Sequence, residues 1–253
     1  MRVLFERQGI LAQNVIFGFF TVSIVIPLYA VTNRIFAERA TLNLATPLDH
    51  AIPFLPWTIL AYAMVYVFVF LPVFVVKHRA LFIRICLGFI VCALVATLFF
   101  VLLPVKMPRP GVDTQENLFK WGTALNYLID KPVNCFPSQH VANAVFATLV
   151  CYRLNRKIGL WALGASILIA ISTLTMKQHF IADVVAGATL AALVDFFMVR
   201  SYTEKLKTDL SVDEIIFPPR QAFWIIYLYA ILIGVSIVLF EIGLRFPPIL
   251  PVN

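Results

Sequence analysis

The sequence predicts an all-α protein, a polytopic transmembrane helical bundle. Of its 253 residues, 61% are hydrophobic and only 13% are charged. Soluble domains carry about 25% charged residues, so this composition excludes that class of protein. In addition, apolar stretches recur that are long enough to cross ~30 Å of hydrocarbon, which takes about 20 residues. We therefore predict one integral membrane domain over residues 1–253, with no soluble module.

Seven apolar stretches are the predicted membrane helices. They cover residues 8–33, 51–76, 85–105, 132–152, 158–176, 180–199 and 221–240. Six of them contain no Asp, Glu, Lys or Arg, whereas the stretch 180–199 contains Asp183 and Asp195. More than half of the Lys and Arg residues fall in the loops that are cytoplasmic if the N-terminus is cytoplasmic, as the positive-inside rule favours. We expect a bacterial cytoplasmic membrane, with the C-terminus outside.

The formal net charge of +7 is then carried mainly by the inner loops, where it can contact anionic lipid headgroups. Nothing in this distribution predicts binding to nucleic acid, and the sequence does not indicate an oligomeric state. The bilayer is the partner that the composition predicts.

Two loop segments on the outer side have alternative interpretations. In "TPLDHAIPFLP", residues 46–56, Asp49 and His50 are either solvated loop residues or the rim of a site. "ENLFKWGTALNYLID", residues 116–130, is either a helix along the membrane surface or a packed loop helix.

The fourth and sixth helices are predicted to run from outside to inside, so both begin at the outer surface. Pro137 stops any helix before it, and Ser138 is placed to cap the fourth helix. The proline-rich segment "LLPVKMPRPGVD" emerges on the same side. Together these segments bring to one membrane face Lys106, Arg109, Ser138, His140, Lys177, His179 and Asp183.

This set of side chains favours phosphate chemistry. Helix N-termini and basic side chains attract anions, and the planar fork of Arg109 can hold two phosphate oxygens. His179 and Asp183 are four residues apart on one helix face, so the carboxylate can fix the imidazole tautomer and leave its other nitrogen free to attack. Structural interpretations stay open for three residues taken alone: Ser138 as a helix cap, His140 as an interfacial histidine and Lys177 as a snorkelling lysine.

Three motifs in the order and spacing found here resemble those of the type 2 phosphatidic acid phosphatase superfamily. They are Arg109-Pro110, "PSQH" at residues 137–140 and "STLTMKQHFIAD" at residues 172–183, within a motif-bearing region over 104–187. The second and third are closer to the inositol phosphorylceramide synthase-like branch. Leu102 stands where the family has a lysine, Gln139 replaces a glycine, and Thr173 replaces an arginine.

The resemblance implies a six-helix core plus one additional C-terminal helix. It also implies that His179 is the nucleophile, that Asp183 orients it, and that His140 is the general acid and base. Phosphate would be held by Lys106, Arg109 and Ser138, with Lys177 as the replacement for the missing arginine. No metal and no other cofactor is expected.

The implied activity is hydrolysis of a lipid phosphomonoester or diphosphate through a phosphohistidine. The substrate would be a lipid phosphate or phospholipid, met on the periplasmic or exoplasmic face. An alternative is a lipid phosphotransferase that moves a phosphorylated headgroup to an alcohol. A more remote alternative is a transporter or lipid-binding protein, which is disfavoured because the polar residues cluster at one face and not at the midplane.

Overall fold

The computed structural model describes residues 2–35, 42–114, 116–244 and 249–252, with side chains from Gly9 onward in these ranges. This part of the chain is helical and contains isolated β-bridges but no strand. Five of its helices are long and apolar enough to cross a membrane: Gly9–Ile35, Arg79–Leu102, Arg156–Thr175, Ile181–Asp209 and Pro219–Glu241. The predicted all-α, polytopic helical bundle is confirmed, and the chain is a multi-pass membrane protein.

The helices follow one another closely along the chain. In order they are α1 (Arg2–Ile35), α2 (Pro47–Ala51), a 3₁₀ turn (Pro56–Thr58), α3 (Ile59–Phe68), α4 (Leu71–Val75), α5 (Arg79–Leu102), α6 (Leu118–Ile129), α7 (Gln139–Leu154), α8 (Arg156–Thr175), α9 (Ile181–Val194), a π-helical turn (Asp195–Arg200), α10 (Ser201–Asp209), α11 (Val212–Ile215), a further 3₁₀ turn (Pro219–Phe223) and α12 (Trp224–Glu241).

The segment 51–76, predicted as one helix, is divided between the first 3₁₀ turn, α3 and α4. Pro72 lies in the first turn of α4. Because proline has no N–H and its ring clashes with the carbonyl four residues earlier, α3 cannot continue through it. At the far end of α4, Asn14 of α1 donates its side-chain N–H to the carbonyl of Val76 at 2.7 Å. The interrupted helix is thereby tied to α1.

α7 begins at Gln139 and not at residue 132, because the proline-containing segment before it is not helical. The Ser138 hydroxyl accepts a hydrogen bond from the N–H of Val141 at 3.3 Å, so the predicted cap is confirmed. With 16 residues, α7 is about 24 Å long, shorter than a bilayer core. It is enclosed by its neighbours α8 and α9, and its small residues Ala142, Ala144 and Ala147 are buried.

α6 is a packed helix with one apolar edge left exposed. Trp121 is fully buried, and its indole N–H donates to the carbonyl of Leu244 at 2.7 Å. Leu128 and Ile129 remain exposed. Of the two interpretations of residues 116–130, packing against the bundle therefore describes the buried face.

Candidate active site

The first turns of α7 and α9 lie against each other. The N–H of Ser138 donates to the carbonyl of Asp183 at 3.0 Å. One turn beyond Asp183, Gly187 faces the carbonyl oxygen of Ser138, which a Cβ on that glycine would approach to 2.3 Å. Only glycine permits this contact, since carbon and oxygen atoms that are not bonded cannot come so close without displacing the backbone. The close approach brings the motif residues of both helices into one cluster.

Four side chains form a continuous hydrogen-bonded chain in this cluster. The Tyr62 hydroxyl lies 2.9 Å from His140 Nε2, and His140 Nδ1 lies 3.2 Å from His179 Nε2. His179 Nδ1 lies 3.3 Å from Asp183 Oδ2. One assignment of protons satisfies every link: the hydroxyl donates to His140, His140 Nδ1–H donates to His179, and His179 Nδ1–H donates to the carboxylate. In that assignment His179 Nε2 carries a lone pair.

Asp183 is held at the base of this chain. It is fully buried, and its Oδ2 also accepts the backbone N–H of Phe180 at 2.9 Å. Because the N–H of Phe180 holds Oδ2 in place, the contact of this oxygen with His179 Nδ1 fixes the orientation of the His179 ring. His179 itself is only 3% exposed, so its reactive nitrogen is shielded from bulk water.

Arg109 reaches the same cluster from the segment before α6. Its guanidinium donates to the backbone carbonyl of Asp130 at 2.5 Å and to the side-chain oxygen of Gln178, and it lies 4.4 Å above the centre of the Tyr127 ring. Its Nε is buried and has no acceptor within the described ranges. The backbone of Arg109 pairs with Val252 through two hydrogen bonds of 2.8 and 2.9 Å. Arg109 is thus fixed on both its side chain and its main chain.

The turn before α9 is organised by Thr173, the residue that stands where the resemblance predicts arginine. Its carbonyl accepts the N–H groups of Gln178 at 2.9 Å and His179 at 3.2 Å. Gln178 then links Arg109 to Asn126, to whose side-chain oxygen it donates. Gln178 is a site residue to which the sequence analysis assigned no role, although it lies between the candidate site residues Lys177 and His179.

The two candidate lysines have different surroundings. Lys177 extends its ammonium to the carbonyls of Ile52 at 2.6 Å and Asp49 at 3.1 Å, so it ties the seam between α8 and α9 to α2. Lys106 lies in an extended segment whose backbone N–H donates to Leu42 at 2.8 Å. Its neighbours Val105 and Met107 share a small buried cluster with Phe180. Lys106 is therefore adjacent to the start of α9.

Asp49 is a structural cap of α9. Its Oδ1 accepts the N–H of Ile181 at 2.7 Å, and its Oδ2 accepts from Thr46. Burial tends to raise the pKa of Asp49, but the hydrogen bonds from Thr46 and Ile181 outweigh it and lower the pKa, so the group is ionised. Asp183 accepts the backbone N–H of Phe180 and Asp49 accepts that of Ile181, so two carboxylates already bind the first turn of α9. The positive end of the α9 dipole is therefore already neutralised, and the N-terminus of α7 is the one that can attract a further anion.

A cavity of about 330 Å³ lies beside His140, between α1, α3 and the start of α7. Its walls are mainly apolar side chains of α1 and α3, and its polar residues include Gln139, Asn143 and Asp130. Asp130 accepts hydrogen bonds from the Tyr29 hydroxyl at 2.7 Å and from Asn33 at 3.1 Å. Burial raises the pKa of Asp130, and the nearby Arg109 opposes that rise. Asp130 and Tyr62 were both missed by the sequence analysis.

Possible metal ligands are sparse in the described part of the chain. No three His, Cys, Asp or Glu side chains there are grouped in a way that could hold a metal ion.

Comparison with known proteins gives one match. A family model described as the PAP2 superfamily matches residues 36–196, which is more than half of the chain and includes every motif residue discussed above. No curated protein and no solved structure shows a significant match.

Proposed function

Because the chain belongs to the PAP2 superfamily, we propose that it is a membrane-embedded phosphatase that hydrolyses a lipid phosphomonoester or diphosphate through a phosphohistidine. The observation that carries this proposal is the chain of contacts from Tyr62 through His140 and His179 to Asp183. It presents a nucleophilic nitrogen next to a second imidazole that can exchange a proton. An arrangement of nucleophile, acid–base group and orienting carboxylate is what covalent phosphoryl transfer requires.

In the first step the lone pair of His179 Nε2 attacks phosphorus, and the bond from phosphorus to the lipid oxygen breaks. For this step His140 carries a proton on both ring nitrogens and gives the one on Nδ1 to that leaving oxygen, which leaves His140 neutral. The phosphoryl group must enter between the two imidazoles, where the 3.2 Å contact now is. In the second step His140 takes a proton from water, whose oxygen displaces His179 from phosphorus and releases inorganic phosphate. Asp183 stabilises the positive charge that develops on His179 in both steps.

The phosphate oxygens would be held by Arg109, Ser138 and Lys106. The buried Nε of Arg109 has no acceptor among the described residues, and a phosphate oxygen would provide one. The start of α7, which Ser138 caps, adds backbone N–H groups and the positive end of the helix dipole. Lys177 acts in this scheme through its contacts with α2, which hold the His179 turn in place.

A lipid substrate is supported by the cavity beside His140. It is lined along α1 from Arg34 back to Val22, a distance of about 18 Å at 1.5 Å per residue. Apolar side chains such as Val25, Val65 and Phe70 line its walls. A lipid whose phosphate is at His179 would therefore extend its hydrocarbon chain into this apolar cavity. The distribution of basic residues in the sequence favours the exoplasmic face for this site.

Transfer to an alcohol is the second candidate. The cavity reaches His140 itself, and the base that activates water can equally activate a hydroxyl group. Purified protein incubated with a panel of labelled lipid phosphates and phospholipids, with and without alcohols, separates the two activities. Hydrolysis yields free phosphate, and transfer yields a new labelled lipid. Activity of either kind is expected to persist in excess EDTA; abolition by the chelator with rescue by Mg²⁺ or Zn²⁺ would contradict the mechanism.

The covalent intermediate is tested with an aryl phosphate, whose leaving group needs little protonation. His140→Ala should accumulate acid-labile, base-stable label, because the second step lacks its base. His179→Ala should give none. His78→Ala is a matched control, since His78 lies at the start of α5 and caps that helix. Equal labelling of His179→Ala and His140→Ala would place the nucleophile elsewhere and end the proposal.

A further inference from the structure

Two amide side chains in the cavity have no explanation in the chemistry described so far. Gln139 and Asn143 are four residues apart, hence on one face of α7, and both line the cavity together with His140. Gln139 is only 5% exposed. The carbonyl oxygens of both amides are buried and have no hydrogen-bond donor in the described part of the chain. Buried polar atoms are nearly always satisfied, so such a pair beside a reactive histidine points to a ligand.

The position of the two amides relative to His140 limits which part of a ligand they can meet. Asn143 follows His140 by three residues, which places it about 4.5 Å further along the helix axis. Asn143 lines the same cavity as the apolar side chains of α1 and α3. If the leaving oxygen of the substrate is at His140, the carbon atoms next to that oxygen lie between Gln139, one residue before His140, and Asn143, three residues after it.

The chemistry of the amides then selects among lipids. A carbonyl oxygen needs a donor, which a free hydroxyl supplies and an ester does not. A hydroxyl also satisfies an amide turned so that its NH₂ group faces the cavity, whereas an ester oxygen satisfies only that orientation. One hydroxyl has one proton, so it can donate to the carbonyl oxygen of one amide while it accepts from the NH₂ group of the other, whereas an ester can donate to neither carbonyl.

We propose that Gln139 and Asn143 recognise a free hydroxyl on the carbon next to the phosphoester carbon, so that the enzyme prefers hydroxyl-bearing lipid phosphates over diacyl lipids. This inference rests on the proposed function, since it places the leaving oxygen at His140. It gives Gln139, which stands where the resemblance predicts glycine, a role in specificity. The two amides contact the lipid and not the phosphorus, so they act on substrate choice.

The test compares two substrates that differ in one atom. They are a 1-acyl glycerol 3-phosphate and its 2-deoxy analogue, with the same acyl chain. The measured quantity is the ratio of their kcat/KM values within each variant, which cancels any general loss of activity. For the unmodified protein we expect a preference of about ten- to a hundredfold for the hydroxyl substrate, the range found when a buried partner is left unpaired. Gln139→Met and Asn143→Leu should each reduce the ratio, and the double variant should bring it close to one.

Gln221→Met is the matched control. The carbonyl oxygen of Gln221 is also buried without a donor among the described residues, but it lies in the 3₁₀ turn before α12 and does not line this cavity. The ratio should therefore be unchanged in this variant. Hydrolysis of both substrates with a ratio near one in the unmodified protein would overturn the inference and leave the proposed function intact.

A second measurement does not depend on turnover. Phosphonate analogues of the same two lipids, in which the ester oxygen is replaced by CH₂, bind without reacting. The hydroxyl analogue should raise the thermal unfolding midpoint of the unmodified protein more than the deoxy analogue does. In the double variant, Gln139→Met with Asn143→Leu, the two analogues should raise it equally. If no lipid phosphate is turned over but this difference is present, the proposed function fails and the hydroxyl subsite stands. Equal shifts in the unmodified protein would refute the subsite.

Discussion

Two buried aspartates at opposite ends of one continuous helical segment have contrasting partners. Asp195, at the end of α9, is 1% exposed and accepts from Arg153, whose Nε lies 3.1 and 3.0 Å from its two oxygens and whose Nη2 lies 2.5 Å from Oδ2. Asp183, in the first turn of α9, is fully buried and accepts from a histidine and one backbone N–H. Both carboxylates are inaccessible to solvent, so burial alone does not distinguish a structural group from a reactive one.

The difference lies in what the partner can still do. Arg153 is permanently charged, and its fork is matched to both oxygens of Asp195, so the pair has no further chemistry. His179 uses only one nitrogen for Asp183, and the other nitrogen faces His140. A titratable partner with one nitrogen unused by the carboxylate is what makes the first pair suited to catalysis. We therefore expect substitution of Asp183 to affect rate and substitution of Asp195 to affect stability.

The largest effect is expected for Asp183→Asn. An amide in place of the carboxylate no longer enforces Nδ1–H on His179 or stabilises the developing imidazolium, so kcat should fall by about 10³- to 10⁴-fold, as in hydrolases with an equivalent carboxylate. Steady-state hydrolysis of a lipid phosphate gives kcat, and a denaturation curve in detergent checks the fold. A variant within tenfold of the original kcat would show that Asp183 is structural like Asp195.

Asp195→Asn should have the opposite outcome. Removal of one partner leaves a charged Arg153 that is about one-fifth exposed, so the loss in unfolding free energy should be about 1–3 kcal/mol, below that of a fully buried pair. The value of kcat should change less than twofold. Unfolding monitored in mixed micelles measures the loss. Replacement of both partners, Arg153→Met with Asp195→Leu, should restore part of the lost unfolding free energy. A double variant less stable than Asp195→Asn would contradict the structural role given to this pair.

Arg109→Lys tests whether the bidentate geometry of this arginine matters at the site. A lysine keeps the charge but cannot maintain contact with Asp130 and Gln178 while it also meets phosphate, so kcat/KM should fall about 10- to 100-fold. Arg153→Lys is the matched control at the other end of the bundle and should leave kcat/KM within twofold. Full activity of Arg109→Lys would assign the phosphate contact to Lys106 and Ser138.

The smallest effect is expected for Tyr62→Phe. Loss of one hydrogen bond to His140 Nε2 should lower kcat about two- to tenfold, because the ring loses part of its orientation but keeps its contact with His179. Tyr229→Phe removes a hydroxyl that donates to the backbone of Leu60 and should have no effect on kcat. A change larger than that of Asp183→Asn would mean that the Tyr62 hydroxyl itself transfers the proton.

Local sequence patterns were sufficient for some of this architecture. Apolar length identified where the helices are, and Pro137 with Ser138 identified the start of α7. Interactions between distant residues were not accessible in the same way. Tyr62 lies in an apolar helix where nothing distinguishes it from a packing tyrosine, and its contact with His140 depends on how α3 and α7 pack.

Lys177 shows the same limit of prediction from sequence. Spacing placed this lysine beside the site, yet only the fold shows that its ammonium faces the carbonyls of α2. Pro72 lies inside the stretch 51–76 that was predicted as one helix, and only the fold shows the break before α4 and the hydrogen bond from Asn14 of α1 at its far end. Periodicity predicts elements, whereas partners are decided by three-dimensional packing.

The contact between Gly187 and the carbonyl of Ser138 has a consequence for saturation libraries. Almost no substitution at position 187 should give a functional clone. An added Cβ would lie 2.3 Å from a main-chain oxygen, which no second substitution can remove. Gly88 meets an equally close obstacle, but there it is the ring of Phe146, which a smaller residue can replace. Paired randomisation of 88 and 146 should therefore recover functional clones, and pairing 187 with any partner should not.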